Sequence, residues 1–209
     1  MQIQLALAKG RVAKKAIALL GEVGYTFPDY SDDSRKLIFT DSTGRIAFFL
    51  VKSPDVPTYV AKGVADIGIV GRDVLMEHPA PVYELLNLNI GRCRICVAGM
   101  ENAQIPQNKK IVVGTKYPTI AKHYYNEKKQ PVDIIYLNGS VELAPILGLS
   151  DYIVDIVETG STLKENGLVV LEEIAQVSSR LIANKVSLKT KRAAIDPILE
   201  KFDSMRYDG

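Results

Sequence analysis

The chain is poor in the side chains that do covalent or metal chemistry, with two cysteines and two histidines among 209 residues. Cys93 and Cys96 form a Cys-Arg-Ile-Cys pair inside Arg92–Ala98, which reads as a continuing strand. A redox pair of this spacing sits at a helix N-terminus after a strand, whereas on a strand the two thiols face opposite ways. His78 and His123 fall in no ligand spacing with the cysteines, which leaves a zinc site without its donors. No apolar run approaches the ~20 residues of a membrane span. The opening Met1–Gly10 is too alternating for a signal peptide and lacks a charged n-region, so a cytoplasmic protein is expected. A net charge of +2 argues against nucleic acid as a partner, since such surfaces carry clustered Lys and Arg. Neither a Walker A pattern nor a G-x-G-x-x-G fingerprint occurs. No serine, cysteine or histidine stands beside a partner that would make it a nucleophile. That last absence suits a reaction whose nucleophile is a lone pair on the substrate, where the protein positions the reactants and neutralises the leaving group.

What remains is an ordinary soluble composition, 47% hydrophobic and 24% charged, with enough residues to bury a real core. Short β-branched runs alternate with amphipathic helical stretches, the mark of α/β layering. Ile3–Leu7 reads as a strand, Lys9–Arg11 as a turn, and Val12, Ala16, Leu19, Leu20 and Val23 as one helical face. Lys36–Phe39 and Arg45–Val51 read as strands paired around Asp41–Gly44. Ser53-Pro54-Asp55 is expected to cap a helix, and Asp66–Val70 to be a buried strand leading through Gly71-Arg72-Asp73 into another helix. A second α/β unit follows, with strands at 110–114, 132–137 and 152–157, and helices at 118–127, 141–147 and from Ser161. Ser140 is expected to cap the helix at 141–147, with Glu142 favoured by its dipole. Ile195, Ile198, Leu199, Phe202 and Met205 recur at helical spacing, with Pro197 in the first turn or kinking the helix. Crossings between lobes are expected near Leu88–Ala98 and Leu171–Ser178. That gives residues 1–90 with 176–209 as one lobe, 91–175 as the other, and a ligand cleft between them.

The most informative segment is Asp151–Leu163, a buried strand running into Thr159-Gly160-Ser161-Thr162. Such a turn at a helix start offers backbone N–H groups, hydroxyls and a positive dipole end to a phosphate. Asp155 and Glu158 stand just ahead of it, in reach of the hydroxyls of an attached sugar. A capped turn with no ligand is the plain alternative. Lys9-Gly10-Arg11 and Arg35-Lys36 add cations that together suit a substrate with more than one phosphate. Gly63–Asp73 is glycine-spaced and allows close backbone approach, or simply tight helix–strand packing.

Several separated segments together resemble one family. They are Leu7–Arg11, Ser34–Phe39, Asp55–Val60, Gly63–Asp73, Glu142–Pro145 and Asp151–Leu163, and they span nearly the whole chain. The chain resembles the short-form catalytic subunit of ATP phosphoribosyltransferase. The resemblance implies an α/β, two-lobed fold like type II periplasmic binding proteins. It implies attack of N1 of ATP on C1 of 5-phosphoribosyl 1-pyrophosphate (PRPP) with Mg²⁺, giving N1-(5-phosphoribosyl)-ATP and pyrophosphate, the first step of histidine biosynthesis. On this basis Glu158, Thr159, Gly160, Ser161 and Thr162 would hold the 5′-phosphate and Asp155 the ribose hydroxyls. Lys9 would contact phosphate, Arg11 and Arg35 would stabilise the departing pyrophosphate, and Gly71, Arg72 and Asp73 would border ATP. No position follows for the Mg²⁺ ligands. Ending at Gly209, the chain is expected to lack the regulatory domain of long forms. A homodimer within a hetero-oligomer is implied, with a regulatory subunit resembling histidyl-tRNA synthetase. The rival readings are a non-catalytic solute-binding or sensor module on the same fold, and a different phosphoribosyltransferase. Neither a signal sequence nor a DNA-binding helix-turn-helix supports the first. Against the second, its single-lobed class pairs its acids directly in the phosphate turn, whereas here Ile-Val separates Asp155 from Glu158.

Overall fold

A computed structural model describes residues 2–31, 33–103 and 110–204, so Met205 lies outside the described residues. The chain divides into two compact units, Met1–Gly91 with Ser178–Gly209, and Arg92–Val177.

The first unit is built on a six-stranded sheet. Its strands are β1 (Ile3–Ala8), β2 (Ile38–Thr40), β3 (Ile46–Val51), β4 (Ile67–Gly71), β5 (Tyr83–Asn87) and, from the end of the chain, β11 (Ser179–Ala183). They lie in the order β2-β3-β1-β4-β11-β5, with β3, β1 and β4 mutually parallel. β1 shows why the sheet is buried on both faces. Ile3, Leu5 and Leu7 pack with Ala13, Ala16 and Leu20 of α1 (Arg11–Glu22) and with Ile195, Ile198 and Phe202 of α8 (Arg192–Ser204). Ala6 and Ala8 point the other way, against Val56 and Val60 of α2 (Val56–Ala61) and Val74 of α3 (Arg72–Glu77). Large residues thus face one helical layer and small ones the other, the alternation of a strand sandwiched between helices.

The second unit carries five strands in the order β10-β6-β9-β7-β8. These are β6 (Cys93–Met100), β7 (Ile111–Thr115), β8 (Val132–Tyr136), β9 (Tyr152–Val157) and β10 (Leu168–Val177), with β8, β7 and β9 parallel. Its helices are α4 (Pro118–Glu127), α5 (Leu143–Ile146) and α6 (Ser161–Glu165). The short α7 (Ser187–Thr190) belongs to the first unit.

Two local expectations need correcting. Ser140 does not cap α5, because it has φ +49° and Glu142 takes the capping position without a side-chain bond. Ser53-Pro54-Asp55 does not cap by a side chain either, but forms a turn of 3-10 helix that runs into α2. Of the two placements expected for Pro197, the structure has the one inside the helix, within α8. No described helix is long and apolar enough to cross a membrane.

Candidate functional site

Both units share one wiring. In the first, the chain leaves β1 through α1 and returns through β2 to β3 on one side. It then crosses through α2 to β4 on the other side of β1. In the second, β7 is followed through α4 by β8 on one side and through α5 by β9 on the other. The strand order therefore reverses between β1 and β4, and again between β7 and β9. At such a switch the connections leave neighbouring parallel strands in opposite directions, opening a crevice beyond their carboxyl ends where ligands bind.

The sequence-selected turns fall at these points. Lys9 and Gly10 follow β1, and Gly71, Arg72 and Asp73 end β4 and begin α3. Leu7 and Ile69 form the last rung between β1 and β4, and Lys9 and Gly71 each lie two residues beyond it. Glu158, Thr159 and Gly160 follow β9, while Lys116 and Tyr117 follow β7 next to it.

Gly10 caps α1 with φ 97° and ψ −147°, a region that a side chain at this position would forbid. That geometry turns the chain sharply enough to start a helix two residues after a strand. Lys9 joins Lys14, Arg35 and Lys36 around a cavity of about 480 Å³, whose apolar side includes Ala13, Phe39 and Leu50. Lys36 is held by Asp29 at 2.5 Å. Arg11 is exposed at the start of α1 and does not line this cavity. The cavity thus gathers Lys9 and Arg35, and adds Lys14 and Tyr30, which sequence reasoning did not select. Lys14 carried no signal, being one of several lysines on a helix surface.

In the second unit, Gly160 is left-handed at φ 80° and begins the one-turn helix α6. The Thr159 and Ser161 hydroxyls lie 3.0 Å apart, and the Ser161 N–H reaches the Thr159 hydroxyl at 3.4 Å. Glu158, Thr159, Ser161 and Thr162 are exposed. Asp155 lies between Ile153 and Val157 on the face that packs against Ala144 of α5 and Leu163 of α6. Burial pushes its carboxyl up to about 6, Glu142 adds to the rise, and an Ile156 backbone hydrogen bond and Lys116 oppose it. Glu142 and Lys116 are thus electrostatic neighbours of Asp155. Cys96, on the β6 residue paired with Asp155, is fully buried and its thiol is pushed up by burial, which keeps it unreactive.

Among the described residues no group of three or more His, Cys, Asp or Glu is placed to hold a metal ion. Among the described residues, the turns at Gly10 and Gly160 and the cations around Lys9 have a chemistry suited to anions.

Comparison with known proteins follows the same direction. The family described as "HisG: ATP phosphoribosyltransferase" matches residues 52–204. The ATP phosphoribosyltransferase of Lachnoclostridium phytofermentans is 55% identical over 94% of this chain and 94% of its own length. That of Streptococcus thermophilus is 50% identical over 98% of this chain and 94% of its own. A chain of the ATP phosphoribosyl transferase (HisG:HisZ) complex from Thermotoga maritima superposes with a TM-score of 0.85 at 38% identity, covering 100% of both chains. The substrate binding protein of an amino acid ABC transporter superposes with a TM-score of 0.61 at 14% identity, which establishes likeness of fold alone, of the periplasmic-binding-protein type.

Proposed function

The chain belongs to the ATP phosphoribosyltransferase family, and from that premise we propose how its own residues divide the work on the two substrates. The reaction joins N1 of ATP to C1 of PRPP, releases pyrophosphate and opens histidine biosynthesis. The nucleophile is a ring nitrogen with a free lone pair, so no base need activate it. The transition state is oxocarbenium-like, and negative charge grows on the departing pyrophosphate. Catalysis is then positioning plus charge neutralisation at that group.

In our reading Glu158–Thr162 holds the 5′-phosphate, with backbone N–H groups and hydroxyls supplied by the turn after β9. Asp155 accepts hydrogen bonds from the ribose hydroxyls. Lys9, Arg11 and Arg35 neutralise the pyrophosphate, and Gly71, Arg72 and Asp73 border ATP. The observation that carries this division is the coincidence of these turns with the strand-order reversals at β1/β4 and β7/β9. The four-cation cavity at Lys9 and Arg35 supports the pyrophosphate assignment.

Phosphoribosyltransferases typically use a metal ion, and Mg²⁺ is the ion of this proposal. Mg²⁺ is commonly held by one or two carboxylates plus substrate phosphates rather than by a protein cage. When bound it spreads the charge of the leaving pyrophosphate.

We further propose a homodimer that assembles with a regulatory subunit resembling histidyl-tRNA synthetase; the similar HisG:HisZ complex of Thermotoga maritima supports a hetero-oligomer. A cytoplasmic setting follows from the substrates, multiply charged phosphates that do not cross membranes unaided. The solute-binding alternative has no support beyond the shared fold.

The test is Arg35→Ala, assayed with ATP, PRPP and Mg²⁺ by product absorbance, with and without the regulatory partner. Turnover is expected to fall by more than PRPP affinity, because the contact strengthens as pyrophosphate leaves. Unchanged turnover removes Arg35 from the mechanism.

A further inference from the structure

Thr115 is the last residue of β7 and has no exposed surface, so it touches no substrate. Its hydroxyl donates to the carbonyl of Val154 on β9 at 2.6 Å and accepts the N–H of Tyr117 at 2.8 Å. Its own carbonyl accepts the N–H of Leu137, just past β8, at 2.9 Å. One residue therefore ties together three parallel strands at their carboxyl ends. Thr115 and Val154 are also the last paired residues of β7 and β9. Beyond them β7 ends, while β9 runs on to Val157 paired only with β6, and the side-chain hydroxyl adds a join at the last rung between β7 and β9.

Two groups hang on this tie. The Val154 carbonyl belongs to the same peptide unit as the N–H of Asp155. The Tyr117 N–H fixes the two-residue loop that begins with Lys116, an electrostatic neighbour of Asp155. Removing the hydroxyl would take a partner from the buried Val154 carbonyl and from the part-buried Tyr117 N–H, where unmade hydrogen bonds are costly.

We propose that Thr115 is a positioning residue for PRPP. By joining β7 to the peptide before Asp155, its hydroxyl holds Asp155 and the following Glu158–Thr162 turn at the offset from Lys116 that the phosphoribosyl group requires. This rests on the assignment of that turn to the 5′-phosphate. A purely structural role would lower stability without favouring one substrate over the other. A positioning role moves the kinetics of PRPP alone.

The experiment compares Thr115→Val, Thr115→Ser and Thr115→Ala by steady-state kinetics in both substrates. Thr115→Val keeps the shape and is expected to raise the KM for PRPP about tenfold, with the KM for ATP within about twofold, as small misplacements of binding groups do. Thr115→Ser should stay within about threefold of the parent for PRPP, since it keeps the hydroxyl. Ser and Ala both lack the methyl group and differ only in that hydroxyl, so their comparison decides the matter even where the valine variant does not fold. Equal PRPP KM values for Ser and Ala, or an ATP KM that rises in step with that of PRPP, overturn the proposal. Asp155→Asn is measured beside them. If it raises the PRPP KM while the Thr115 series stays flat, the Thr115 proposal alone fails. If it leaves the PRPP KM unchanged, the assignment of Asp155 to the ribose hydroxyls fails and takes the Thr115 proposal with it.

Discussion

The Nζ of Lys191 lies 2.8 Å from the Oδ2 of Asp66, whose side chain is 4% exposed just before β4. The same carboxylate accepts the N–H of Gln4 at 2.9 Å and the hydroxyl of Ser187 at 2.7 Å. Asp66 thus joins β1, β4 and the C-terminal helices at the amino end of the sheet, away from the strand ends assigned to substrate. Replacing it with alanine strands three donors at once, one of them charged. Asp66→Ala is expected to lower unfolding free energy by about 3 kcal/mol in urea titrations. Lys191→Met should cost about 1 kcal/mol, because Lys191 is partly exposed and Asp66 keeps its other two bonds. Equal losses in the two variants would contradict this account.

Asp155 gives a pH signature. The folded chain holds its proton more tightly than the unfolded chain, with a carboxyl at about 6 against an ordinary 3.8. Its contribution to stability is therefore full below the unfolded value and is lost as pH rises through about 6. Asp155→Asn removes that loss. The variant should match the parent near pH 4 and exceed it near pH 8 by about 1–3 kcal/mol in denaturant unfolding. A difference that does not change between the two pH values would refute it.

Gly68 lies in β4 beneath α2. A Cβ there would come within 2.8 Å of the Val60 Cγ2 and 2.9 Å of the Val56 Cγ1. Both valines are stiff side chains on a short helix, so the clash has little room to relax. Gly68→Ala is expected to cost about 2 kcal/mol, read as a lowered Tm, and Val60→Ala in the same chain should recover part of it. A Gly68→Ala protein as stable as its parent would show that α2 yields more easily than this packing implies.

Neither cysteine is disulfide-bonded; Cys93 is half-buried and Cys96 fully buried. A thiol reagent should label one site in the native protein and the second only on unfolding, with Cys93→Ser abolishing the native labelling. Rapid labelling of both thiols under native conditions would contradict the buried placement of Cys96.

Much of the fold was legible because its strands and helices declare themselves by period. β1 alternates large and small residues, and β9 is a β-branched run stopped by a glycine turn. Turn chemistry marked Gly10 and Gly160, where the chain needs positive φ. Three features were not legible, each for a physical reason. The positive φ of Ser140 is a conformation serine rarely adopts, so nothing in the residue type signals it. The hydroxyl of Thr115 acts through Val154, a partner far along the chain that no local pattern reveals. The weak acidity of Asp155 arises from burial and from Glu142, which only the packed sheet brings near. Sequence patterns report what a residue does to its neighbours in the chain, and the last two depend on neighbours in space.

The placement of β11 has a consequence for how the protein is made. β11 comes from the last part of the chain, yet it lies between β4 and β5 and is the only sheet partner of β5 among the described strands. As the chain leaves the ribosome from its N-terminus, β4 and β5 emerge early and wait without the strand that joins them. Arg92–Val177 is continuous and holds all five strands of its own sheet, so it can close first. The sheet that begins with β1 therefore cannot be completed until β11 has been made. Until Ala183 is synthesised, the nascent chain carries an open sheet edge at β4, a surface on which chaperones act.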